Sequence, residues 1–277
     1  MPASMKRRFS RPDWLRVPEP SDDGSMALVD HLKELRYRVI VSAVAIVAIM
    51  CVTLFFNNYF ENLVLGPYDR ATAIFRESHP DSNIIMSTDG LAGGMMLTLK
   101  IALYSGLVLS CPVWLYQIWA FIAPGLLSKE KKYALMFLGT SIPLFLAGVA
   151  LGYWISPKGF VVLLGFTPEG VSNIQDVNKF LQFMTVTLLV FGIAFLLPVI
   201  LVTMNLVGVL RAQTLAKYRT FGIFLCFVFG AVATPSQDPF SMCALAVPMA
   251  VMYIISEIIC RINDKRRAAR GDLVLVD

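Results

Sequence analysis

The sequence predicts an all-α integral membrane protein of six transmembrane helices with both termini in the cytoplasm, and three observations carry that prediction. The 277 residues are 57% hydrophobic and only 16% charged, with a mean hydropathy of +0.67, too apolar for a soluble domain of this size. Four runs, Val39 to Phe56, Ile101 to Ile122, Tyr133 to Ile155 and Leu181 to Val207, come close to or exceed the roughly 20 apolar residues that cross about 30 Å of hydrocarbon. Basic residues crowd the flanks of one side, which marks that side as cytoplasmic.

Residues 1–26 mix Pro, Ser and both charge signs without helical periodicity and are read as a disordered cytoplasmic leader, with Met26 as an alternative start. The first apolar run begins near Val39, too far from the start for a cleavable signal peptide, and is a retained span. Between them, Leu28, Leu32, Leu35 and Val39 recur at helical spacing and predict an amphipathic helix along the interface.

The fifth and sixth spans are shorter or interrupted. Phe221 to Ala233 is 13 residues, about 20 Å at 1.5 Å per residue, and Phe240 to Ile259 carries Glu257 near its end. Six is the economical count, because a hairpin about Thr234 to Pro239 keeps the charge pattern intact. Nineteen of the 24 basic residues then fall on one side: eight before the first span, Lys129, Lys131 and Lys132, Arg211, Lys217 and Arg219, and five after the last. Asn57 to Thr98 and Ser156 to Phe180 become long outer loops. The membrane domain is set at 27–261, followed by a basic cytoplasmic tail, 262–277. Pro112, Pro143, Pro198 and Pro248 lie inside spans, where each removes a backbone donor and favours a bend, so bent helices around a concavity are expected. The short fifth span implies a locally thinned bilayer.

Enzyme chemistry has no anchor. The five cysteines form no metal or redox spacing, there are only two histidines, and the chain lacks both a GxxxxGK[ST] loop and a GxSxG elbow. No cofactor and no nucleic-acid partner is implied. No ionisable residue stands at mid-span, and no internal repeat is visible, which argues against a proton-coupled carrier.

At the cytoplasmic surface, Glu34 is spaced i,i+4 from Arg38, and an ordinary helix-surface pair accounts for it. Ser128 reads as an N-cap with Glu130 in the first turn of the third span, which helix-start chemistry alone explains. His31 reads as an interfacial side chain and Gln117 as interhelical glue or part of a site.

Taken in order, two stretches resemble the TatC family of the twin-arginine protein translocase: His31-Leu32-x-Glu34-Leu35-Arg36-x-Arg38, and Pro112-Val113-x-x-Tyr116-Gln117-x-Trp119-Ala120-Phe121-Ile122-Ala123-Pro124 running into Glu130. Pro168-Glu169-Gly170-Val171, Phe191-Gly192 with Pro198, and Thr234-Pro235 to Asp238 extend the resemblance over about Ala27 to Arg261. It implies a cupped six-helix bundle in the bacterial cytoplasmic membrane and a receptor for twin-arginine signal peptides of folded cargo. It also implies single-span TatA- and TatB-type partners, self-association and a drive from the proton-motive force. By resemblance Glu130 is the leading acceptor for the signal's arginines and Glu34 a second. Phe121, Gln117, Pro112 and Arg36 shape the same patch, and Pro67, Asp238, Leu35 and Pro124 are further motif positions. Two adjacent guanidiniums want carboxylates, which they bind by charge-assisted, bidentate hydrogen bonds that lysines do not match. One departure is Leu196, where many members carry a glutamate or glutamine in the fourth span. A small-solute transporter or channel is the alternative from another class.

Overall fold

The computed structural model describes residues 28–78, 84–87, 92–122, 131–166, 173–234 and 238–269. The amphipathic segment and the first span are one unbroken helix, α1 (Leu28–Phe55). After a turn at Phe56 the chain does not enter a loop, as the hydropathy reading expects, but forms α2 (Asn57–Ser78), 22 residues with Pro67 inside. Its buried positions, Tyr68, Ala71, Thr72 and Phe75, recur every three or four residues. That stripe packs on Phe160, Leu164, Phe180 and Met184 of two later helices. Apolar on one face only, α2 has no continuous apolar run of the length that marks a span.

β1 (Ile84–Ser87) pairs in parallel with β2 (Asn173–Asp176), Ile84 opposite Asn173 and Ser87 opposite Asp176. This small clamp joins the two segments read as outer loops and stands beside an otherwise helical bundle. The second span is broken: α3 (Gly93–Leu109) and α4 (Cys111–Ile122) meet at Ser110 with a 56° bend. Pro112 has no N–H to offer the preceding turn. Within the bend the Leu107 carbonyl accepts from the Trp114 indole Nε1 at 2.9 Å and from Ser110 Oγ at 3.2 Å. Both arms of the bend pack on α1.

α5 (Lys131–Leu164) runs 34 residues through Pro143 and Pro157, about 51 Å and nine residues past the boundary expected from hydropathy. α6 (Val177–Ala194) is capped by Asp176, whose carboxylate accepts from Asn178 N at 2.9 Å. Pro198 begins α7 (Leu197–Val207), which ends at Gly208 in the left-handed conformation, φ 89°. α8 (Ala212–Lys217) leads into α9 (Arg219–Ala233) and α10 (Pro239–Ala269). Four of these segments, Val29–Phe55, Phe137–Leu164, Val177–Leu206 and Pro239–Ala269, are long and apolar enough to cross a bilayer. The bent α3–α4 pair makes a fifth, and α9 is a shorter apolar helix at the place of the expected fifth span. At 15 residues, α9 is about 22 Å long. Spin labels along 221–233 are therefore expected to report a thinner bilayer around α9 than around α1, and equal thickness at both would contradict it.

Small residues let α5 and α6 approach closely. A Cβ added at Gly148 would sit 2.5 Å from the Phe191 carbonyl oxygen, and one at Gly192 would sit 2.6 Å from the Phe145 ring. Gly139, by contrast, has open space around it. Gly148→Ala is expected to lower the thermal stability of the detergent-solubilised protein by about 1–3 kcal/mol of overpacking. Gly139→Ala should be neutral or mildly stabilising through helix propensity.

The helix α10 continues past Arg261 to Ala269, so the first half of the basic tail is ordered helix. Asp264 holds it in place, accepting from Asn205 Nδ2 and from Ala212 N, each at 2.8 Å. Asn263 donates to Asn205 Oδ1 at 2.8 Å, and Asn205 is fully enclosed at the end of α7. The i,i+1 pair Asn263–Asp264 thus ties the last helix to the α7–α8 turn.

Candidate functional site

Three of the residues singled out in the sequence, Glu34, Gln117 and Phe121, come together where the start of α1 meets the end of α4. The spacing of His31, Glu34 and Arg38 at i, i+3 and i+7 lines them along one stripe of α1. That stripe faces α4. Glu34 is 2% exposed. Its Oε1 accepts from Arg38 Nε at 2.9 Å and also from Arg38 Nη2. Arg38 Nη1 reaches across to Gln117 Oε1 at 3.2 Å. The expected i,i+4 pair therefore exists, but it is a buried, two-helix network rather than a surface contact. Gln117 acts as the acceptor that orients the guanidinium.

The second carboxylate oxygen, Glu34 Oε2, is buried and has no hydrogen-bond partner among the described residues. His31 Nδ1 lies 3.8 Å from it, beyond hydrogen-bond reach. The His31 ring lies flat on Phe121, centroids 4.4 Å apart and planes 15° from parallel. Leaving a buried acceptor unmade costs about 1–3 kcal/mol, more for a charged group. Glu34 is thus held rigidly through one oxygen and left with unused acceptor capacity at the other.

The remaining predicted residues lie elsewhere. Arg36 and Leu35 are exposed, Arg36 on the opposite side of α1 from Glu34 and Leu35 about a quarter turn round from it. Pro112 sits at the α3–α4 bend, at the far end of α4 from Phe121, and acts through the bend. Pro67 is buried inside α2. Asp238 caps α10, its Oδ1 accepting from Ser241 N at 2.7 Å. Glu130 and Pro124 lie outside the described residues. His31 and Arg38 were legible only as neighbours on one helix, since their role depends on what α4 brings to them.

A second acidic centre departs from expectation. Glu257, read as a side chain reaching the interface from a span end, is 1% exposed. Its Oε2 accepts from Arg219 Nε at 2.8 Å and its Oε1 from Arg219 Nη2 at 2.7 Å, the bidentate fork that arginine makes with a carboxylate. Arg261 Nε adds a third bond at 2.9 Å. The antiparallel run of α9 and α10 sets Arg219 opposite Glu257, a placement that sequence spacing does not reveal. Arg261 at i,i+4 was the available signal.

A concavity of about 360 Å³ opens among α2, α3, α5 and α6, with Phe60, Tyr104, Leu146, Tyr153, Met184 and Leu188 on its walls. It is mostly apolar, with hydroxyls only on Tyr104, Ser105, Tyr153 and Thr185 among its lining residues. Among the described residues no cluster of three or more His, Cys, Asp or Glu is placed to hold a metal ion.

Residues 30–248 match the sequence profile described as TatC: Sec-independent protein translocase protein (TatC). The chain is 38% identical to the Sec-independent protein translocase protein TatC of Frankia casuarinae, over 91% of this chain and 70% of that one. It is 36% identical to that of Xylanimonas cellulosilytica, over 85% and 84%, and 32% identical to that of Escherichia coli K12, over 85% and 88%. A crystal structure of the twin arginine translocase receptor TatC in the detergent DDM superposes with a TM-score of 0.68 at 31% identity, covering 83% of this chain and 99% of that one. The profile match, the curated relatives and the helical architecture agree: the chain belongs to the TatC family, membrane components of Sec-independent protein translocation rather than enzymes.

Proposed function

We propose that this chain is the receptor subunit of a twin-arginine translocase, binding the twin-arginine signal peptides of folded cargo at its cytoplasmic surface. The observation that carries the reading is the buried Glu34 carboxylate, with one oxygen saturated by Arg38, whose guanidinium Gln117 orients, and the other unpartnered. A rigid carboxylate with spare acceptor capacity suits an incoming guanidinium, where a charge-assisted bond is worth about 1.5–3 kcal/mol. Glu130, immediately before Lys131 where α5 begins, supplies the second carboxylate and the stronger contact. Two arginines in the signal then answer two carboxylates in the receptor.

In this reading the six apolar segments all cross the bacterial cytoplasmic membrane and both termini lie inside, as basic-residue asymmetry requires. Residues 27–261 form the membrane domain, with 1–26 and 262–277 as cytoplasmic extensions. The apolar part of the signal lies in the concavity between α2, α3, α5 and α6, whose walls match a hydrophobic segment. The receptor self-associates and recruits single-span TatA- and TatB-type subunits. Leu196, at the α6–α7 break, packs on Cys111, Leu115 and Phe145 of this chain. Transport draws on the proton-motive force.

The experiment is direct. Purified full-length protein in detergent binds a fluorescent twin-arginine signal peptide, and replacing both arginines by lysine abolishes the binding. Equal affinity for both peptides would remove the receptor assignment. Photo-crosslinkers in the signal's apolar core should label residues lining the concavity, and labelling of lipid alone would move that segment out of it.

A further inference from the structure

The unpaired oxygen of Glu34 is covered by a ring that resembles the ligand the site would take. His31 is a planar, nitrogen-bearing side chain stacked at 4.4 Å on Phe121, its Nδ1 facing Oε2 at 3.8 Å without bonding it. Its side chain is 43% exposed, and among the described residues no hydrogen bond holds the ring in place. A guanidinium has the same flat shape, stacks on aromatic faces and hydrogen-bonds carboxylates in its own plane. It would satisfy both groups that His31 satisfies only by contact. Arg38, fixed on Oε1 and on Gln117, keeps the carboxylate from turning its free oxygen away.

We infer that His31 is a removable placeholder in a guanidinium seat built from Glu34 Oε2 and the face of Phe121, which an arriving arginine takes over as the imidazole swings into water. This rests on the receptor reading and adds to it the residue that fills the seat until the signal arrives, while Phe121 and Glu34 make the seat selective. An ammonium has no flat face to lay on Phe121 and remains strongly hydrated, so a lysine gains too little to displace the ring. Arg38 is a positioning residue here, not an acceptor.

The test compares wild type with H31A, H31R and E34A as full-length proteins in detergent, using fluorescence anisotropy of the twin-arginine peptide and its twin-lysine counterpart. H31A should bind the arginine peptide roughly three- to tenfold more tightly than wild type, because no occupant has to leave. H31R should bind it roughly tenfold or more weakly, its own guanidinium filling the seat. The lysine peptide should gain little from H31A. If H31A loses binding as E34A does, the imidazole is a ligand contact and the placeholder is wrong. If E34A loses binding while both His31 variants match wild type, the seat alone is overturned and the receptor reading stands. If E34A binds as tightly as wild type, the seat falls, and the receptor reading stands or falls on whether the twin-arginine peptide still outbinds the twin-lysine one. Thermal unfolding of each variant checks its fold, and H31A decides the matter by itself should H31R unfold.

Discussion

Glu130→Ala is expected to abolish crosslinking of a twin-arginine peptide while leaving the protein inserted, and Glu34→Ala to do so more weakly. Each removes one charge-assisted acceptor, and losing about 1.5–3 kcal/mol lowers affinity roughly 10- to 150-fold. The Glu34 variant has a second consequence, because Arg38 is left with only Gln117 at 3.2 Å. Arg38→Met separates the two effects: it keeps the carboxylate but frees it to rotate. Its binding should therefore fall less than that of Glu34→Ala. Unchanged crosslinking in both glutamate variants would sink the assignment of the site, provided protease accessibility shows the protein correctly inserted.

Glu257→Ala should give the largest loss of stability among single surface-end substitutions. It removes three hydrogen bonds from a carboxylate that is 1% exposed and leaves two arginines without their shared anion. Breaking a fully buried pair costs about 3–5 kcal/mol. Arg219 and Arg261 are 48% and 51% exposed, so both can turn to water and the cost falls below that range. The apparent Tm in detergent should drop by several degrees. Arg219→Lys should fall between, since an ammonium replaces the two-pronged contact with a single one. Replacing Glu257, Arg219 and Arg261 together with leucine should recover part of the loss, because no buried charge is then left alone. An unaltered Tm in Glu257→Ala would show that the α9–α10 hairpin is held by its apolar contacts, such as Cys226 with Leu245, without help from the ion cluster.

Hydropathy located the four helices that, among the described residues, are long and apolar enough to cross a bilayer, because the cost of exposing backbone and polar groups to hydrocarbon acts on each segment by itself. The same local logic made Pro112 and Pro198 readable as breaks, since a missing N–H is a property of the residue. It failed for α2 and for the β1–β2 clamp. Tyr68, Ala71 and Phe75 become a buried stripe only once Phe160 and Phe180 are opposite them, and a strand pair joining residue 84 to residue 173 is set by the bundle that brings its ends together.

The candidate site divides along the same line. The sequence by itself determined that Glu34 and Arg38 share a helix face, through the 3.6-residue period, and that a family motif surrounds them. Only the tertiary structure decided that this face meets α4, that Gln117 takes up one guanidinium nitrogen, and that Phe121 seats His31 over an unpaired oxygen. Glu257 makes the contrast sharpest, since the sequence sets it near a helix end where water is close. Packing of α9 against α10 encloses it between two arginines instead, because burial is a property of neighbouring helices and not of distance along one.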